Sequence, residues 1–223
     1  MNLLCRYLLP SACILLVIAL ALSGCGGGGS LDGSGANAEV KWTYMVYIAA
    51  DTDISAAAKF DINEMETVGS GSDVNIVVQV DFSPDDSPGD TSRGKIVQDS
   101  NQGEISSNLA GIGKKDMTDP QTLTEFIVWA ATNYPAQHYA LVLWSHGAGW
   151  KSTDYYPAQT KGMIKDDTDN PGEIMSLQAL AGAVRSSAVD LDLINFDTCL
   201  MGMYEVAYEF SGLAETITYS EER

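Results

Sequence analysis

Cysteine all but vanishes once the first 25 residues are passed. Cys5, Cys13 and Cys25 crowd the start of the 223-residue chain, and Cys199 stands alone after them. No disulfide can therefore staple the folded part. Histidine is scarcer, with His138 and His146 only; one cysteine and two histidines at these spacings do not make a zinc site. Basic residues are few, 12 Lys and Arg against 30 Asp and Glu, for a formal net charge of −18. Phosphate contacts need clustered Lys and Arg, so the balance argues against a nucleic-acid partner. It suits cationic substrates, although on charge alone solubility is the commoner reason for such a balance. Gly111-Ile112-Gly113 lacks the preceding strand and following helix of a dinucleotide fingerprint and reads as a turn. Asp166-Asp167-Thr168-Asp169 lacks the spaced ligands and glycine of an EF-hand loop, so its carboxylates read as solvated.

What is present begins with a targeting segment, residues 1 to 24, in which Arg6 precedes an apolar stretch from Tyr7 to Leu22. It ends in Leu22-Ser23-Gly24-Cys25, which resembles the lipobox of bacterial lipoproteins. That resemblance implies cleavage before Cys25, lipidation of its sulfur, and attachment to a membrane of the bacterial cell envelope. Residues 25 to 39 are rich in Gly, Ser and Ala and read as a flexible tether.

The folded domain spans residues 40 to 223. Trp42 to Ala50 and Val74 to Val80 read as buried strands flanking a helix over Ile54 to Val68, with Ile54, Ala57, Ala58 and Met65 on its apolar face. This is a βαβ unit. Arg93 to Gln98 and Glu104 to Leu109 read as a hairpin at one edge. Asp119 caps a helix opened by Pro120, and Leu123, Phe126, Ile127 and Ala130 form its stripe. Gly147 to Gly172 reads as a long polar loop. Ser176 caps a helix carrying Leu177, Leu180, Ala181 and Val184; a further helix runs from Leu200 to Phe210, and a last strand begins at Thr216. Strands alternating with helices predict an α/β/α sandwich with a mostly parallel sheet.

Two short apolar runs carry the chemistry. Tyr139 to Trp144 ends in Ser145-His146-Gly147, and Leu191 to Phe196 ends in Asp197-Thr198-Cys199. Both read as central strands of a parallel sheet. As parallel neighbours they would release His146 and Cys199 at one carboxyl edge, where open α/β sheets keep their sites. With a helix starting at once, Cys199 would lie at its electropositive end, which favours the thiolate. A cysteine nucleophile needs a base and an oxyanion pocket. His146 supplies the base; the N–H groups of Gly147 and Cys199 could form the pocket. His138 precedes its strand and falls at the opposite edge.

These residues resemble the clostripain family of cysteine peptidases, relatives of the caspases and gingipains. The resemblance runs from Trp42 to Glu222 and rests on Thr43 to Asp51, Asp61 to Met65, Val74 to Gln79, Trp144-Ser145-His146-Gly147 and Asp197-Thr198-Cys199-Leu200-Met201. It implies a caspase-like fold and an endopeptidase that cuts peptides and proteins after Arg or Lys. His146 would act as general base and acid, and Cys199 as the nucleophile forming a thioester. Asp197 would lie in the floor of the pocket that receives the substrate's cation. Family members also cut themselves after a basic residue, which makes Lys161 and Lys165 the candidates. No cofactor is required, although calcium dependence in the type enzyme admits that ion. Members continue beyond Ser220-Glu221-Glu222, so a C-terminally truncated domain is expected. Two other readings stay open: an inactive caspase-like surface module that binds, and a cysteine acyltransferase.

Overall fold

The computed structural model describes residues 40–86, 89–149, 162–169 and 171–221. Its centre is a seven-stranded sheet. Strand β1 (Trp42–Ala50) lies between β2 (Val74–Phe82) and β5 (His138–Trp144), parallel to both. Helix α1 (Ser55–Val68) connects β1 to β2. Beyond β2 the sheet turns antiparallel through β3 (Ser92–Lys95) and β4 (Ala110–Gly111). Helix α2 (Pro120–Asn133) leads into β5. After β5 come three short strands, β6 (Gly147–Gly149), β7 (Gly162–Lys165) and β8 (Ile174–Ser176), which pair with one another in a separate antiparallel sheet. Helix α3 (Leu177–Ser187) returns the chain to β9 (Leu191–Asp197), parallel to β5. A short helix α4 (Tyr204–Glu209) then precedes β10 (Ala214–Thr218), so the large sheet runs β10-β9-β5-β1-β2-β3-β4.

The strands are apolar on both faces because both are covered. In β1, Met45, Tyr47 and Ala49 face the larger core with Phe126 and Ile127 of α2 and Leu180 and Val184 of α3. Val46, Ile48 and Ala50 face the opposite way, towards Ala58 and Ile62 of α1. This alternation is the period of two that a strand imposes. Asp119 accepts the N–H of Gln121 at 2.9 Å, with Pro120 following it, and all four residues of the expected α2 stripe are buried. Ser176 likewise accepts the N–H of Ala179 at 3.1 Å and opens α3.

Four expectations are corrected. In α1, Ala57 is exposed and Ile62 is buried, because the face turned to the sheet runs through Ser55, Ala58, Ile62 and Glu66 at helical spacing. The first edge strand shortens to β3, and the second is not formed over Glu104 to Leu109 but falls just after it, in β4, with Gly111 inside that strand and Gly113 left-handed at φ 79° beyond it. The stretch from Gly147 to Gly172 is not strandless; it contributes β6 and β7 to the small sheet. Finally, α4 begins at Tyr204, not Leu200. Leu200 is left-handed at φ 60°, and the Gly202 N–H donates to Ser220 O at 2.8 Å. A tertiary contact to the segment after β10 thus claims residues that would otherwise enter the helix. Cys199 is therefore five residues before the first residue of α4, beyond the single turn over which a helix N-terminus stabilises negative charge.

Candidate active site

The site is built by register. Trp144, the last residue of β5, pairs with Asp197, the last residue of β9. His146 and Cys199 each stand two residues beyond that pair, so the sheet delivers both at one carboxyl rim. Cys199 is half-buried and is the free cysteine among the described residues. The segments that follow them pack backbone to backbone. A methyl group on Gly147 would come within 2.2 Å of Cys199 O, and one on Gly149 within 2.8 Å of Leu200 O. Glycine is required at 147 by this close approach, and at 149 also by a φ of +62°. The neighbouring Thr198 is buried, and its hydroxyl has no hydrogen-bond partner among the described residues.

His146 is held on several sides. Its carbonyl accepts the N–H of Ile164 at 3.2 Å. The preceding Ser145 hydroxyl donates to Ala49 O at 2.9 Å and accepts from the Lys165 N–H at 3.3 Å. The ring Nε2 lies 2.7 Å from Oδ1 of Asp53, in the turn between β1 and α1. The bond to His146 holds the Asp53 carboxyl below its ordinary range, against a smaller opposing effect of burial. Sequence reasoning overlooked Asp53. The signal was there: Asp51-Thr52-Asp53 follows β1, which ends at the same rim as its neighbour β5.

Asp197 is solvent-accessible at its strand end, beside Asp61 of α1. With Trp144, Tyr44, Val46 and Val142 the two carboxylates line a trough of about 550 Å³. Trp144 Nε1 donates to Asp61 Oδ2 at 2.7 Å, which fixes that carboxylate. Desolvation within the trough, and then the charge of Asp61, raise the Asp197 carboxyl above the ordinary aspartate value. Lys165 lies in β7 with its ammonium 2.7 Å from Asp167 Oδ1. Cys25 and Lys161 fall outside the described residues. His138 is the first residue of β5, bonded to Asp192 at the far edge of the sheet, away from Cys199.

Close to the rim is a second unit that sequence reasoning dismissed as solvated. Asp166 is fully buried, and carboxylate oxygens of Asp51, Asp81, Asp166 and Asp169 lie within 4.8 Å of one another. These are hard oxygen donors of the kind calcium accepts. Lys114 already serves them, with Nζ at 3.1 Å from Asp51, 2.8 Å from Asp81 and 3.3 Å from Asp169. One ammonium thus offsets part of the charge of four clustered carboxyls. Burial alone would lower the Lys114 amine, but its bonds to Asp81 and Asp51 raise it. At Asp81 burial overrides Lys114 and lifts the carboxyl to about 6; Asp166 is raised by burial too, against the N–H groups of Asp169 and Met117.

Comparison with known proteins fits this geometry. The model of the clostripain family, peptidase family C11, matches residues 46–223. Clostripain from Hathewaya histolytica is 31% identical over 198 residues, which cover 79% of this chain and 37% of clostripain. A secreted C11 cysteine protease from Bacteroides thetaiotaomicron, solved with an irreversible peptide inhibitor, superposes with a TM-score of 0.61 at 26% identity, over 80% of this chain and 48% of its own. An inactive zymogen C11 protease from Parabacteroides distasonis gives 0.63 at 26% identity, over 82% and 49%. The chain thus spans less than half the length of each.

Proposed function

Because this chain belongs to the clostripain family of cysteine peptidases, we propose that it hydrolyses peptide bonds after Arg or Lys through Cys199 and His146. The observation that carries this reading is the Trp144–Asp197 register pair, which brings the two side chains to adjacent strand ends. In the proposed reaction the Cys199 sulfur, as thiolate, attacks the scissile carbonyl carbon. The oxyanion that forms is met by backbone N–H groups at Gly147 and Cys199. Collapse breaks the C–N bond, His146 gives its proton to the leaving amine, and a thioester remains. Water, deprotonated by His146, then cleaves the thioester and regenerates the thiol.

The substrate's cation is assigned to Asp197. Its position two residues before Cys199 and its place in the trough with Asp61 support that role. Lys161 and Lys165 are the proposed self-cleavage positions. Cutting after Lys165 requires β7 to leave the small sheet, since this residue is paired there with Ile174. Lipidation at Cys25 is proposed to hold the domain at a membrane of the cell envelope. No cofactor enters the reaction.

A fluorogenic arginyl amide tests the proposal, with Cys199→Ala and a matched aspartyl amide as controls. Turnover of the arginyl amide alone, abolished in Cys199→Ala, is expected. Equal turnover by Cys199→Ala, or no preference for the cationic side chain, overturns it.

A further inference from the structure

The chain has two histidines, and each is bonded to an aspartate at 2.7 Å, but through different nitrogens. His138 uses Nδ1, towards Asp192, and His146 uses Nε2, towards Asp53. The first pair has a structural explanation. Asp192 also accepts the backbone N–H of Tyr139 at 2.8 Å, and Trp42 lies against the His138 ring with centroids 4.9 Å apart, so the pair ties the starts of three strands together. The second pair has no such explanation. Asp53 joins no strand, and its side chain is 73% exposed against 19% for His146. Exposed ion pairs of this kind contribute little to stability.

The effort in this region goes into the turn that carries Asp53. Asp51, just before it, is anchored by Lys114 Nζ at 3.1 Å and by the Thr168 hydroxyl at 3.0 Å. Its carbonyl accepts the N–H of Asp167 at 2.9 Å. Thr52 N–H donates to Ala50 O at 2.7 Å, and Thr52 Oγ1 accepts from the Ile54 N–H at 3.3 Å. Ser55 N–H returns to Thr52 O at 3.2 Å. Lys165, whose charge also reaches Asp53, is itself held by Asp167 on its own loop. An exposed carboxylate has thus been placed by a buried charge cluster on one side and a closed turn on the other, with its oxygen on an imidazole.

We propose that Asp53 is a positioning residue of the peptidase site, whose carboxylate accepts the Nε2–H of His146 and so fixes the plane and tautomer of the ring. This rests on the reading of His146 as the proton-transferring group. An ionised carboxylate can only accept, so the neutral imidazole carries its proton on Nε2 and is basic at Nδ1. When His146 takes up a second proton, Asp53 stabilises the resulting cation without becoming protonated, as an orienting carboxylate does in other nucleophile–base pairs.

A double-mutant cycle tests it on the full chain, with turnover of the arginyl amide and the rate of Cys199 alkylation by iodoacetamide both followed. Asp53→Ala is expected to lower kcat by at least about 10- to 100-fold, the range for losing the carboxylate behind a metal-bound histidine, with KM changed by less than about threefold. Asp53→Asn, which keeps the size and turn preference of the residue, is expected to fall in between. In a His146→Ala background, Asp53→Ala is expected to cost nothing more, because the two act as a unit. Additive losses, or a wild-type rate in Asp53→Ala, overturn the proposal while leaving the peptidase reading intact. If His146→Ala itself retains both rates, that reading fails first and the proposal falls with it. Should the arginyl amide not turn over, the alkylation rates complete the same cycle.

Discussion

At the residue scale, a pair of like charges sets how the site would use pH. Asp197 and Asp61 share one trough, and Asp197 is raised by desolvation and by that neighbour. A carboxyl whose value is raised loses its charge at a higher pH than usual. Attraction for an arginyl or lysyl side chain should therefore fade, and KM rise, at a higher pH than an ordinary aspartate would give. Replacing Asp61 by Asn removes the opposing charge and lets Asp197 ionise at lower pH. The acid-side rise in KM should then move to lower pH, with kcat little changed, as steady-state rates across pH would reveal. An unmoved profile would mean that Asp61 does not sense Asp197. Asp197→Asn should abolish the preference for cationic substrates while sparing the chemistry at Cys199.

At the scale of elements, the strands and long helices were legible because local pattern and tertiary role agree. Met45 to Ala50 is apolar on both faces since α1 covers one face and α2 and α3 the other. Asp119-Pro120 starts α2 through chemistry confined to neighbouring residues. Where tertiary contacts decide, the pattern failed. Leu200 to Met203 has helical composition, yet the Gly202–Ser220 bond holds it out of α4. Asp166 looks like any loop carboxylate until Lys114, some fifty positions away, is placed near it by the ends of β1, β2 and β7. His146 and Cys199 were legible because strand ends and parallel pairing can be read locally; Asp53 and Asp61 depend on a turn and a helix face. The Lys114 unit also carries a stability signature. Asp81 is nearly inaccessible and lifted to about 6 by burial, so between pH 4 and 6 the folded state binds a proton that the unfolded chain has released. This carboxyl's contribution to stability is thus greatest below pH 4 and falls as pH rises to 6, by on the order of 3 kcal/mol. Urea denaturation at pH 4.5 and 7 should show Asp81→Asn losing that dependence, with a flatter profile than wild type. An identical slope in both proteins would contradict the assignment.

For the molecule as a whole, parallel pairing of β5 with β9 is what turns sequence separation into proximity. His146 and Cys199 are fifty-three positions apart along the chain; in the sheet they are one strand apart and equally far beyond a paired residue. The net charge of −18 fits the same picture, since a cationic side chain approaching this rim meets an attractive field. That field is screened by salt, whereas the carboxylates within the trough are screened less. The central claim is that this rim activates one particular sulfur towards cationic substrates. Labelling with an arginyl acyloxymethyl ketone, followed by intact-mass and peptide-mapping spectrometry, tests it most directly. One adduct is expected, a thioether on Cys199, formed faster than with the aspartyl analogue and much slower in His146→Ala. Modification of Cys199 at the rate of a simple thiol, indifferent to both the side chain of the probe and the presence of His146, would contradict the account.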